Sequence, residues 1–306
     1  MTAATLAPPA AASHRSAYLL LVLAALFWSG NFVLARAMHA AIPPFTLAFA
    51  RWGIALLVLL PLGLKPMLAE RALWRPHWRR IVVLALLGIT GFNSLVYVGL
   101  HSTSATNGVL LNSFIPILIV ALGALGFGLT VGVRQALAIA VSFVGVVTIV
   151  AHGEPARLLA LQLNPGDALV FAAMVCWALY TLLLRAVPPA IDRVDLLTLL
   201  VALGLIALSP FCAWEWSRGA TVRLDAATLS TFAYMGTLPS VAAYYFYNFG
   251  VARVGAARAG TFIHLMPAFG ALLSTLWLGE AIAAYHLAGI GLILAGVALA
   301  TRAARR

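Results

Sequence analysis

The stretch Ala25-Leu26-Phe27-Trp28-Ser29-Gly30-Asn31-Phe32-Val33-Leu34-Ala35-Arg36 decides the fold, because the chain carries its frame twice. The second copy is Met174-Val175-Cys176-Trp177-Ala178-Leu179-Tyr180-Thr181-Leu182-Leu183-Leu184-Arg185, which places its tryptophan and arginine 149 residues further on. Pro61 recurs as Pro210 at the same offset, while Gly99, Pro116, Gly128 and Gly145 recur as Gly250, Pro267, Gly279 and Gly296 at an offset of 151. A two-residue slip in a loop reconciles the two offsets. Tryptophan and proline are scarce, so a shared register points to a duplicated unit.

Composition sets the solvent of that unit. Hydrophobic residues make up 63% of the 306 positions and charged residues only 9%, against about 25% charged in a soluble domain. Most of the surface must therefore face lipid. There the backbone can satisfy itself only as helices or a closed barrel. Barrel strands would alternate in short runs, whereas the apolar runs here are nearly continuous. Helices are expected at residues 17–38, 44–63, 80–101, 106–127, 133–152, 166–186, 194–214, 226–252, 256–278 and 284–301, separated by proline, glycine and charge. Five helices per half is an odd number, so the second half enters the membrane upside down relative to the first. The expected fold is an all-α polytopic membrane protein: ten transmembrane helices in two five-helix inverted-topology repeats, residues 17–152 and 165–301, after a disordered cytoplasmic leader over residues 1–16. Solute carriers use this design, with the site near the bilayer midplane at the repeat interface.

Fourteen Lys and Arg residues fall on one side of this arrangement, four on the other, and Arg51 lies within a span. The bias places both termini in the cytoplasm of a bacterial-type inner membrane. The net charge of +11 follows from these loop residues. No basic and aromatic surface for nucleic acid is seen. Cys176 and Cys212 fall inside spans and read as small buried hydrophobes, not as a disulfide or metal framework. No clustered His/Asp/Glu or Ser/His set and no nucleotide-binding motif is present, so neither enzyme chemistry nor a cofactor or metal is expected.

Ala25-Leu26-Phe27-Trp28-Ser29-Gly30-Asn31-Phe32, Phe49-Ala50-Arg51-Trp52, Tyr245-Phe246-Tyr247-Asn248-Phe249-Gly250, His264-Leu265-Met266-Pro267 and Trp277-Leu278-Gly279-Glu280 together resemble the drug/metabolite transporter superfamily, EamA-type. Within it the chain looks most like the YddG-type aromatic amino acid exporters, on the Trp177 context and the Tyr247-Asn248 pair. The resemblance implies export of amino acids or other small solutes. It also marks the stretches around Phe92-Asn93, Asn112-Ser113 and Trp177 as cavity wall. One departure is Gly128-Leu129, the mate of Gly279-Glu280, where many relatives carry Glu in both halves. Small multidrug antiporters of related fold use a membrane-embedded glutamate in the first helix, which is absent here.

Candidate binding residues follow from polarity at depth. Trp28 and Trp177 sit mid-span, away from the interfaces that tryptophan usually anchors, and could wall a cavity or simply pack helices. Asn31, Asn93, Asn112 and Asn248 are polar amides inside spans that either bond neighbouring helices or face substrate. Phe92, Tyr97, Ser113, Tyr180, Tyr244 and Tyr247 add aromatic surface and hydroxyls. His264 is a titratable group in the core, read either as a packing residue or as a proton carrier. Pro116 and Pro267 remove helix donors and are candidate hinges or static kinks. Arg51, about 10 Å into the second helix, is read as structural ahead of a substrate-carboxylate anchor. All eight acids fall in loops or at helix ends.

These features favour export of small neutral or zwitterionic metabolites, amino acids foremost, by alternating access. A different metabolite or drug, a lipid enzyme and a non-transporting assembly factor are the alternatives. Partners are the small-molecule substrate and the bilayer, and a monomeric state is compatible with the reading. The orientation is checked in a chain whose native cysteines are alanine. Arg157→Cys should react with an impermeant maleimide in intact cells, and Arg305→Cys only after permeabilisation; the reverse pattern overturns the orientation.

Overall fold

The computed structural model describes residues 14–103, 105–159, 164–278 and 282–302. The expected leader lies outside these residues except for His14–Ser16, which belong to the first helix, and Gly279-Glu280 also fall outside them. The spans are α1 (His14–Ala37), α2 (Pro44–Ala69), α3 (residues 78–102), α4 (residues 105–126), α5 (Val133–Val150), α6 (Pro165–Leu184), α7 (Arg193–Ser217), α8 (residues 226–254), α9 (residues 256–278) and α10 (Ala284–Arg302). Nine helical stretches among the described residues are long and apolar enough to cross a membrane. The tenth span, α8, carries Tyr234, Tyr244, Tyr245, Tyr247 and Asn248, polar groups that dilute its hydropathy. Ten crossings return the chain to its starting side, so residues 14 and 302 share one end, here called the terminal end.

Local signals start these helices. Pro44 occupies the first turn of α2, where a missing N–H costs nothing. Asn164 and Asp167 form a reciprocal capping box on α6. Asp192 and Asp225 cap α7 and α8. The Thr228 backbone N–H holds the Asp225 carboxyl below its usual range. Glu215, from the last turn of α7, accepts from Phe45 N at 3.1 Å and Thr46 N at 2.7 Å, so α7 caps α2. Four of the eight acids, Asp167, Asp192, Glu215 and Asp225, are thus used as caps.

Packing follows the two-fold. α1 packs on α8 and α9, and its mate α6 packs on α3 and α4, while α2 pairs with α7 and α5 with α10. Single contacts repeat the relation. A Cβ on Gly99 would sit 2.7 Å from Val170 Cγ2, and one on its mate Gly250 would sit 2.5 Å from Leu21 Cδ2. Leu21 and Val170 are themselves mates at the offset of 149. α5 and α10 also approach closely: a Cβ on Gly145 would meet Gly289 O at 2.6 Å and one on Gly289 would meet Gly145 O at 2.7 Å. Small residues let helices approach where no hydrophobic effect drives them together.

Two kinds of irregularity also occur in mated pairs. A π-helical turn interrupts α3 at Leu86–Gly91 and α8 at Leu238–Ala242, and at the offset of 151 the last five residues of the first fall on the second. α4 breaks between Asn112 and Ile115, and α9 passes through a 3₁₀ turn at Phe262–His264. Pro116 and Pro267 follow these breaks, in the first turn of the next segment. They therefore sit where a proline is cheap and do not kink a continuous helix.

Gly145→Val should lower the melting temperature in detergent by an amount equivalent to about 1–3 kcal/mol. Gly291→Ala, with nothing within 4 Å of its new Cβ, should leave it unchanged.

Candidate functional site

The π-turns build the site. Each widens one helical turn and frees carbonyls from the helix ladder, and side chains at the repeat interface take them up. Trp28 Nε1 donates to Pro239 O at 3.0 Å. Tyr244 OH donates to Gly88 O at 2.7 Å. Asn93 Nδ2 reaches Ile89 O at 2.9 Å and Gly88 O at 3.1 Å. These bonds orient an aromatic cluster on the two-fold. Trp28 and Trp177 meet edge to face with centroids 5.1 Å apart. Tyr244 stands edge-on to both, at 5.8 and 5.2 Å, and Phe92 lies 4.8 Å from Trp177.

Arg51 enters this cluster from α2 with 1% of its surface exposed. Its Nε donates to Ser240 Oγ at 2.8 Å. Its Nη1 is surrounded by Asn31 Oδ1 at 2.9 Å, Asn93 Oδ1 at 3.1 Å and the Tyr97 hydroxyl. Its Nη2 has no hydrogen-bond partner among the described residues, and no carboxylate oxygen there lies within ion-pair distance. The guanidinium also rests 4.9 Å from the Trp52 ring centroid. Every hydrogen-bonded neighbour is neutral, so its donors are largely satisfied while its charge is not cancelled.

The Asn–Tyr pairs beside it are mates with the residue types exchanged. Tyr97 OH donates to Asn31 Oδ1 at 3.2 Å, and Tyr180 OH donates to Asn248 Oδ1 at 2.7 Å. At the two offsets Asn31 corresponds to Tyr180 and Tyr97 to Asn248. Arg51 corresponds to the buried Leu200. One half carries the charge and the other does not.

A central cavity of about 20 Å³ is lined by Trp28, Asn31, Phe92, Asn93, Asn112, Trp177 and Tyr244, together with Arg51. It has room for about one water. Of the sequence candidates, seven thus line the cavity. Tyr97 touches it through Arg51. Tyr180, Asn248 and Tyr247 lie behind Trp177, whose ring is 5.1 Å from that of Tyr180 and 5.3 Å from that of Tyr247. Ser113 and His264 do not line it. His264 Nε2 donates to Ser113 O at 2.9 Å, and Nδ1 contacts Ser142 Oγ at 2.5 Å. A carbonyl only accepts, so Nε2 carries the proton and Nδ1 can accept from the serine. These bonds tie α9 to α4 and α5 where α4 and α9 are interrupted.

A second space of about 250 Å³ opens at the end opposite the termini, between His152 and His286. Phe32, Asn112 and Met266 line both spaces. Asn112 Nδ2 meets Met266 Sδ at 3.5 Å, so these side chains form the partition between vestibule and cavity. Arg51, expected from the sequence to be structural ahead of a carboxylate anchor, lines the cavity as well. The available signal was an arginine within a span and no acid at its depth.

Both halves match one family model, described as the EamA-like transporter family, over residues 15–151 and 164–302. An uncharacterized transporter of Archaeoglobus fulgidus is 30% identical over 93% of this chain and 96% of its own length. The Bacillus subtilis uncharacterized transporter YyaM is 26% identical over 94% of each chain. A probable terminal-alkyne amino-acid exporter of Streptantibioticus cattleyicolor is 27% identical over 92% of each. A crystal structure of a protein with 22% sequence identity superposes with a TM-score of 0.76, covering 96% of this chain and 99% of that one.

Trp28→Phe keeps the ring but strands the Pro239 carbonyl. It should destabilise the protein by about 1–3 kcal/mol, read as a lower melting temperature in detergent. An unchanged melt removes this bond from the account of the π-turn.

Proposed function

This chain belongs to the EamA-like transporter family, and on that premise we propose that it exports small zwitterionic metabolites, neutral and aromatic amino acids foremost, by alternating access. The supporting observation is Arg51: a buried cation at the repeat interface without a carboxylate partner among the described residues. Such a charge is costly in a low-dielectric interior. A substrate carboxylate on Nη2 would offset that cost. The faces of Trp28, Trp177 and Tyr244 offer cation–π contacts to an ammonium group and stacking surface for an aromatic side chain. A ligand with both charges is neutral overall and crosses without leaving net charge behind.

In this conformation the cavity is collapsed to about 20 Å³ and the open space is the 250 Å³ vestibule. Substrate entry then requires Asn112 and Met266 to part and the aromatic cluster to open. The mated breaks at Pro116 and Pro267, and the mated π-turns, are the places where each half can bend without losing a continuous helical ladder. The Streptantibioticus relative, a probable terminal-alkyne amino-acid exporter, is consistent with an amino acid as cargo here. The orientation argued from charge would put the vestibule on the periplasmic face.

Proteoliposome flux with labelled neutral amino acids tests the reading, and the absence of saturable uptake across that set overturns it. Arg51→Gln should cut flux at least tenfold, since a lost hydrogen bond to a charged group costs about 1.5–3 kcal/mol. Amines that lack a carboxylate should compete poorly with amino acids in the wild type. Trp177→Ala should lower flux with expression intact, and unchanged transport removes Trp177 from the site.

A further inference from the structure

At the terminal end, four chain segments that are remote in sequence each bring one arginine to a single groove. Arg134 comes from the first turn of α5, Arg185 from the end of α6, Arg258 from the start of α9 and Arg302 from the end of α10. The groove encloses about 720 Å³, and no acidic residue lines it among the described residues. α5 starts there without a side-chain cap and without an acid in its first turn, so its N-terminal dipole adds to the same field. A general excess of basic residues at this end accounts for their sign but not for this convergence. Arg71 and Arg75, at the same end, stand exposed on the α2–α3 connection and do not line this groove.

The groove continues into an apolar surface. Val133 is 77% and Leu137 53% exposed, one turn apart on the outer face of α5, and Leu294 on the neighbouring α10 is 53% exposed. A cationic groove at helix ends above a lipid-facing apolar strip matches the two parts of one molecule: a phosphate at interface height and an acyl chain alongside the helices. We propose that this groove is a binding site for the headgroup of an anionic phospholipid, with Arg134 and Arg302 on its phosphate and the acyl chain lying along α5 and α10. The site is separate from the central cavity, and shares no residue with it.

The test is native mass spectrometry of the full chain in detergent, titrated with phosphatidylglycerol or with phosphatidylcholine of the same acyl chains. Phosphatidylglycerol should be retained at least fivefold more strongly. The double variant R134Q/R302Q should lose affinity about fivefold per arginine removed, whereas R71Q/R75Q, which removes the same charge from the same end, should bind as the wild type does. Gel filtration and melting of both variants establish that they are folded. Equal retention of the two lipids overturns the proposal, as does an equal loss in R71Q/R75Q. Inorganic phosphate that displaces bound phosphatidylglycerol at millimolar concentration would reassign the groove to free phosphate and overturn the lipid source.

Discussion

A single buried charge organises the centre of this protein. Arg51 is held by oxygens from α1, α3 and α8, which span both halves of the repeat. Each acceptor is neutral. Neutral acceptors satisfy donors but leave the net charge in a low-dielectric setting. The amides of Asn31 and Asn93 and the π-turn geometry that presents Ser240 all serve to hold this one guanidinium. The aromatic cluster beside it leaves a cavity with space for about one water.

The surrounding frame is symmetric, and the departures from symmetry give it direction. Helix pairings, glycine contacts, π-turns and segment breaks all recur between halves. Two related packings of similar energy are what an alternating-access carrier needs. Arg51 against Leu200 breaks the relation, as does the exchange of Asn and Tyr between the Asn31–Tyr97 and Tyr180–Asn248 pairs. The polar pair is kept in each half, so the hydrogen bond persists under the two-fold although the residues do not. A register search on identities alone passes over such a pair.

The irregular turns link backbone to chemistry. A regular α3 and α8 would offer no spare carbonyls to Trp28, Tyr244 or Asn93, and their side chains would have no fixed orientation. The π-turns supply those acceptors at mated depths. The prolines, in contrast, lie just after breaks in α4 and α9, in the first turn of the segment that follows. His264 belongs to this scaffold: it joins three helices where α4 and α9 are interrupted.

The sequence by itself determined the membrane solvent, the duplication and its inversion, and the ten spans to within three residues except the end of α2, which runs on to Ala69 where residue 63 was expected. Apolar runs, scarce residues at a shared offset and an odd helix count are properties of the chain read in order. It also marked seven residues of the cavity wall, because tryptophans and amides at mid-span are conspicuous against an apolar background. Tertiary structure alone decided which of them face one another. Arg51 acquires its meaning from four oxygens 20 to 189 residues away, and Ser113 and His264 do not line the cavity, their side chains being bonded to the Leu110 carbonyl and to the Ser113 carbonyl and Ser142. Local composition records depth in the membrane. The face that a helix turns toward the centre depends on partners from other helices, and no local pattern in a uniformly apolar span encodes it.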